Sequence, residues 1–193
     1  CIQHPETGRE REFGAPAPAA PRRKVLVAGG GPGGMKAAAV AASRGHEVIL
    51  CEAGPQLGGQ ALLAQLLPSR AEFGGIVTNL VREIELAGVE VRLNTRVDRA
   101  LVENEGPDAV VIATGAEPSE PEIEGADEGH VVNAWQVLRG EINVGQSVVV
   151  ADWRCDWVGL GVAEKLALDG CQVQLAFNGA QLGESLMQYM RDH

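Results

Sequence analysis

The sequence predicts an α/β fold, a doubly wound parallel sheet of Rossmann-like type followed by a second, incomplete Rossmann-like unit. Three observations predict it. Short continuous apolar runs at residues 25–28, 48–51, 109–113 and 148–150 read as strands covered on both faces. Segments of small or periodically apolar residues, at 35–42, 73–84 and 159–168, separate those runs and read as crossover helices. A glycine-rich turn joins the first strand directly to the first helix.

In chain order, residues 1–23 are polar and rich in Pro and Ala, ending in Pro21-Arg22-Arg23. They offer little to bury and read as a linker of polyproline character. Residues 24–116 form the first nucleotide-binding domain. Val25-Leu26-Val27-Ala28 is its first strand, Met35 to Ala42 its first helix with Gly45 as the stop, and Val48-Ile49-Leu50-Cys51 its second strand. Phe73, Ile76, Val77, Leu80, Val81 and Ile84 recur at helical spacing up to Gly88. Residues 89–93 alternate like a strand, and Ala109 to Ala113 is another buried one. Residues 117–130 are an acidic crossover and the expected domain boundary. Residues 131–193 are the second unit, with a strand at 147–151, a helix at 159–168 and a strand at 172–177.

Composition sets outer limits. The 193 residues suit one domain and part of a second, and 45% apolar residues can fill a core. Residues 1–24 carry five basic and three acidic side chains, leaving 11 basic against 23 acidic in the remainder of a chain of net charge −10. So acidic a body repels phosphate backbones, which excludes nucleic acid as the expected partner. No apolar run reaches the roughly 18 to 20 residues of a membrane span, and no signal-like segment opens the chain. Cys1, Cys51, Cys155 and Cys171 show neither metal-pair spacing nor disulfide density. A cytoplasmic protein is expected. The chain begins at Cys1 and stops at His193 without a capping signal, so it reads as a piece of something longer.

The strongest motif is Gly29-Gly30-Gly31-Pro32-Gly33-Gly34, in which Gly29, Gly31 and Gly34 satisfy G-x-G-x-x-G. The first glycine makes the tight turn, the second lets a pyrophosphate approach the backbone, and the third brings helix and strand together. Amides of the first helical turn then face the phosphates. Glu52, 23 residues after Gly29 and at the end of the second strand, is placed to accept from ribose hydroxyls and to repel a 2′-phosphate. A glycine turn serving packing alone is the weaker alternative. Gly58, Gly59 and Gln60 supply a second loop over the phosphates, with Gln60 as a donor, although a Gly-Gly pair is more often a turn. Ala113, Thr114 and Gly115 end a strand on the same carboxyl edge. Arg70 is a phosphate candidate for which exposure before a helix is the plainer reading.

These residues, with the segment from Gly88 to Val97, resemble the nucleotide-binding part of the iron–sulfur flavoprotein NADH:flavin oxidoreductases. That family includes the dienoyl-CoA reductases, trimethylamine dehydrogenase and amine-oxidising relatives. The resemblance runs the whole length and implies an FAD/NAD(P)-binding fold. It places Gly29, Gly31, Pro32, Gly33, Gly34, Glu52, Gly59, Gln60, the backbone at Val97, and Ala113, Thr114 and Gly115 around FAD or around ADP. It makes Cys1 the last ligand of a four-iron four-sulfur cluster, in the full-length parent only, since one thiolate cannot hold a cluster. FMN, an N-terminal barrel, an electron-transfer flavoprotein acceptor and a homo-oligomeric parent follow from the same resemblance.

The second unit departs from the reductase pattern. Aligning Gly159 with the third glycine puts Arg154 and Asp156 at the first two positions. Trp153 and Arg154 are expected to fill the pyrophosphate volume. Asp156 would oppose a phosphate at roughly 4 kcal/mol for 4 Å and a dielectric near 20. Packing is the expected role of Trp153 and Trp157. An amine dehydrogenase of the trimethylamine dehydrogenase type, acting on a small N-methylated amine, therefore fits better than an NAD(P)H-dependent dienoyl-CoA or enoate reductase. A nucleotide-free structural module is the non-enzymatic alternative. The chain offers no catalytic residue: His4, His46, His130 and His193 are scattered, and His46 reads as a surface turn residue.

Overall fold

The computed structural model describes residues 6–14, 17–119 and 122–188, so Cys1, His4 and His193 lie outside the described residues. The elements are α1 (Glu10–Phe13), β1 (Lys24–Ala28), α2 (Pro32–Ser43), β2 (Glu47–Cys51), α3 (Ala61–Ala64), α4 (Phe73–Leu86), β3 (Glu90–Arg92), α5 (Arg99–Glu105), β4 (Ala109–Ile112), α6 (Ala134–Leu138), β5 (Ser147–Asp152), α7 (Trp157–Leu168), β6 (Gln172–Phe177) and a 3₁₀ turn (Glu184–Gln188). Among the described residues no helix is long and apolar enough to cross a membrane.

The first sheet has the order β3-β2-β1-β4, every pair parallel, with Val27 opposite Leu50 on one side and Val111 on the other. The continuous apolar strands β1 and β2 are central and covered on both faces, whereas β4, expected to be buried, ends the sheet with Val110 and Ile112 exposed. Val25, Val27, Val48 and Leu50 pack with Met35, Ala38 and Ala39 of α2 and Leu80 and Ile84 of α4. Leu26, Ile49 and Cys51 point the opposite way, onto Val97, Leu101 and Val102. Burying each such side chain stabilises by about 1.5 to 3 kcal/mol. This three-layer arrangement is the α/β fold that the alternating strands and helices predict.

The chain forms two compact units, residues 1–62 with 72–116, and residues 63–71 with 117–193. Assigning all of 24–116 to the first unit misplaces residues 63–71. Leu63 and Leu67 join Leu138, Val162 and Leu166 in the second core, and their apolar spacing does not show which core claims them. In that unit β5 and β6 pair in parallel, Ser147 opposite Gln172 through Asp152 opposite Phe177, with α7 as the crossover.

The segment before β1 is not a bare polyproline tether. Residues 10–13 are helical, with Arg9 paired to Glu12 at 2.8 Å. Further on, the Ala19 N–H donates to the Arg44 carbonyl at 2.8 Å, and Arg44 Nε to the Ala17 carbonyl at 3.2 Å. His46 is half-buried rather than a free turn residue, and its Nδ1 accepts from the Arg23 N–H at 3.1 Å.

One ion-pair cluster gives the fold a defined acid response. Glu105 at the end of α5 accepts from Arg92 at 2.6 Å and from Lys24 at 2.8 Å. The Arg92 hydrogen bond first, and the Lys24 one second, lower its pKa from 4.5 to about 2. A carboxyl depressed by folding contributes stability above its unfolded pKa and loses it as pH falls through the folded one. Acid titration followed by circular dichroism is therefore expected to show stability falling between pH 4.5 and about 2. Glu105→Gln should be less stable near neutrality and flatter across that window. An unchanged acid profile in the variant would remove Glu105 as the cause.

Candidate functional site

The first sheet has a topological switch. From β1 the chain passes through α2 to β2 and then β3 on one side, and α5 returns it to β4 on the other side of β1. Ligands of doubly wound folds bind at the carboxyl edge beside such a switch. Here that edge is built from Gly29–Gly34 after β1, Glu52 after β2 and Ala113–Gly115 after β4.

The first and third glycines stand where a side chain would not fit. Gly29 has φ +109, its N–H donates to the Cys51 carbonyl at 2.8 Å, and a Cβ there would strike the Ala113 carbonyl oxygen. Gly34 stands third in α2, where a Cβ would strike the Gly29 carbonyl oxygen. Gly31 is the helix cap in extended conformation. Pro32 follows at the first position, and no acidic side chain occupies the first turn. The opening amides of α2, at Gly33 and Gly34, thus carry the positive helix end with no anion of that turn competing for it.

Glu52 is turned toward this cradle. Its Oε2 accepts from the Gly30 N–H and its Oε1 from the Gly54 N–H, both at 2.7 Å. A carboxylate offers about four acceptor positions, so two remain for ribose hydroxyls. The Glu52 carbonyl accepts from the Thr95 N–H at 2.8 Å, which carries residues 95–97 alongside it. Val97 itself packs its side chain on the Leu26 face, leaving only its backbone for an adenosine. Gly59 approaches Gly31 so closely that a Cβ on it would lie 3.0 Å from Gly31 Cα. Gln60 donates to the Ala116 carbonyl at 2.9 Å. Motif reasoning did not assign roles to Gly30 and Gly54, whose backbone amides hold Glu52, because a backbone donor leaves no side-chain signature.

The second unit retains one part of this design. Gly159, like Gly34, stands third in its helix, and a Cβ there would strike the Asp152 carboxylate. The rest is replaced. Asp156 caps α7 with its own carboxylate, Oδ1 accepting from the Val158 N–H at 2.9 Å and Oδ2 from Arg154 Nε at 2.7 Å. Asp152 Oδ1 accepts from the Arg154 and Cys155 N–H groups at 3.0 Å each. Its Oδ2 is buried with no hydrogen-bond partner among the described residues. Cys155 takes φ +51, a conformation that favours glycine.

Two expectations need correction here. Trp153 is 53% exposed and so is not core, and the Arg154 side chain is 84% exposed. Trp157 does pack with the Leu63 core, and Arg70, expected to be exposed, is half-buried and lies 5.2 Å above its ring.

Residues 23–150 match the family model described as pyridine nucleotide-disulphide oxidoreductase. The chain belongs to that family. It contains the nucleotide-binding domain of a flavin-dependent oxidoreductase. It is 41% identical over 196 residues to an N,N-dimethylglycine/sarcosine dehydrogenase of Chromohalobacter salexigens, covering 96% of this chain and 28% of that one. Among solved structures, 2-naphthoyl-CoA reductase is 35% identical with a TM-score of 0.84, over 91% of this chain and 26% of the other. The 6-hydroxypseudooxynicotine amine oxidase of Pseudomonas geniculata N1 is 29% identical with a TM-score of 0.87, over 97% and 30%. This pyridine nucleotide-disulphide oxidoreductase chain thus spans under a third of the length of each of these three relatives.

Proposed function

We propose that the chain binds the adenosine diphosphate moiety of ADP or FAD within an FMN- and iron–sulfur-containing dehydrogenase of small N-methylated amines. The cradle around Gly29–Gly34 and the inward-turned Glu52 support the nucleotide part. A Cβ at Gly29 or Gly34 would strike neighbouring backbone and force the turn out of shape, and Glu52 already lies against Gly30. When bound, the adenine nucleotide would supply an anchor and, as FAD, a redox ring. The chain's own part is to bind the diphosphate on helix amides and orient the ribose on a carboxylate.

The amine side of the reading is carried by Asp156. A helix end whose opening amide is already taken by its own capping carboxylate offers less to the phosphates of a nicotinamide dinucleotide. An enzyme loaded by its amine substrate needs no such site. The 41% identical relative is a dehydrogenase of N,N-dimethylglycine and sarcosine. FMN, the cluster, the cluster-ligand role of Cys1, the electron-transfer flavoprotein, a homo-oligomeric parent and a cytoplasmic setting enter through the sequence resemblance. Among the described residues no group of three or more His, Cys, Asp or Glu is placed to hold a metal.

Titration with NADH or NADPH, followed by tryptophan fluorescence, is expected to show no saturable change through the micromolar range. Asp156→Ala should cost about 1 kcal/mol of stability through the lost cap. Tight NADH binding that Asp156→Gly leaves unchanged would favour the second reading, an NAD(P)H-dependent reductase. The likeness to 2-naphthoyl-CoA reductase is the observation behind that reading.

A further inference from the structure

The turn after β6 carries a chemistry that neither nucleotide binding nor packing uses. Asn178-Gly179 follows the strand directly and is the one Asn-Gly pair in the sequence. The backbone nitrogen of the residue after an asparagine can attack its side-chain Cγ and close a five-membered imide. Glycine in second place removes the Cβ that crowds the attack. The reaction needs an accessible side chain and a nitrogen not held in a hydrogen bond. Here Asn178 is exposed, and the Gly179 N–H donates no hydrogen bond among the described residues. The buried Cys155 thiol is placed to donate to Asn178 Oδ1 at 3.8 Å and lies 2.9 Å from where a Cβ on Gly179 would stand. It ties the side-chain carbonyl to the same corner as the glycine. Two comparable pairs are shielded. Asp169-Gly170 can close the same ring, but the Gly170 N–H donates to the Ala167 carbonyl at 3.1 Å and Asp169 is paired with Lys165 at 2.7 Å. Asn94 precedes Thr95, whose N–H is taken by the Glu52 carbonyl at 2.8 Å.

We infer that Asn178 is a site of spontaneous deamidation that changes the charge of this turn. The Gly179 nitrogen bonds to Cγ and gives up its proton, the Cγ–Nδ2 bond breaks, and ammonia leaves. Water then opens the ring at Cγ, giving aspartate, or at the backbone carbonyl carbon, giving isoaspartate; nothing is oxidised or reduced. Either product sets a new carboxylate beside an existing one. Glu184 Oε2 lies 2.6 Å from the Cβ position of Gly179 and accepts from the Ala180 N–H at 2.8 Å. The same turn is joined to the 153–155 loop through Ser185. Its N–H donates to the Cys155 carbonyl at 3.1 Å, and its hydroxyl to the Arg154 carbonyl at 2.8 Å. Like charges so close repel, so the modification loosens that closure and uncovers Cys155, which is 4% exposed in the unmodified chain.

The test is incubation of the chain at mildly alkaline pH followed by peptide mass mapping, beside Asn178→Gln, whose longer side chain closes a ring poorly. The peptide bearing Asn178 is expected to gain the mass difference of a hydroxyl over an amino group at least about tenfold faster than the peptide bearing Asn94, with isoaspartate in the product. Asn178→Gln should abolish that gain. Iodoacetamide should alkylate Cys155 about tenfold faster in Asn178→Asp than in the unsubstituted chain. A rate at Asn178 no greater than at Asn94 would overturn the inference, as would isoaspartate forming equally fast at Asp169. Unchanged alkylation of Cys155 in Asn178→Asp would overturn the loosening of the turn.

Discussion

Replacing Gly34 by alanine is expected to cost about 3 kcal/mol and to lower ADP affinity at least tenfold. The added Cβ would meet the Gly29 carbonyl oxygen and lie 3.3 Å from Ala113 Cβ. Neither side can retreat. Gly29 is held by its bond to the Cys51 carbonyl and abuts Ala113, while α2 is anchored by Met35, Ala38 and Ala39 in the core. For a chain of this size such a loss lowers Tm by roughly 6 to 12 °C. Gly33→Ala is the matched control. Nothing lies within 4 Å of its Cβ position, so it should be neutral or slightly stabilising. Thermal denaturation of the pair decides the matter: equal Tm values would show that the third glycine is not packing helix against strand.

Much of this was readable from residue pattern, and the failures have identifiable causes. Strands buried on both faces betray themselves as unbroken apolar runs, so β1 and β2 could be placed to within about a residue, whereas the same kind of run at β4 belongs to a strand with Val110 40% and Ile112 79% exposed. The glycine turn was readable because each glycine answers a separate steric demand. Short helices were harder. Helix α5 is announced only by Asp98, whose side chain accepts from the Leu101 N–H, and by Gly106 in the left-handed conformation. Helix α6 is announced by Asn133 and Gln136, which form a reciprocal capping box. Those signals are local and were outweighed by the lack of apolar periodicity. Residues 63–71 failed for another reason: an apolar face specifies that it must be covered, not by which core. Asp156 shows a third limit. Its position opposing a phosphate followed from the alignment, but its role as the cap of α7 depends on where the helix starts, and sequence pattern leaves such boundaries uncertain by a residue or two.

Removing the Glu52 carboxylate is expected to separate the two halves of the nucleotide. Glu52→Ala deletes an acceptor that binds two backbone amides and has capacity for a ribose. Hydrogen bonds to a charged group contribute about 1.5 to 3 kcal/mol each, so ADP affinity should fall roughly 30-fold, the equivalent of about 2 kcal/mol. Inorganic pyrophosphate, which uses the α2 amides and not the carboxylate, should bind as well as before or better, since a neighbouring negative charge has gone. An adenosine diphosphate bearing a 2′-phosphate should gain most, because the repulsion that disfavours it is removed. Glu52→Gln refines the argument. The substituted amide keeps the bulk but sets an N–H₂ against either the Gly30 or the Gly54 N–H, so it should weaken ADP nearly as much. Calorimetric titration of the three ligands is the measurement. Equal weakening of ADP and pyrophosphate would show that Glu52 only holds the glycine turn in shape, and the ribose contact would have to be assigned elsewhere.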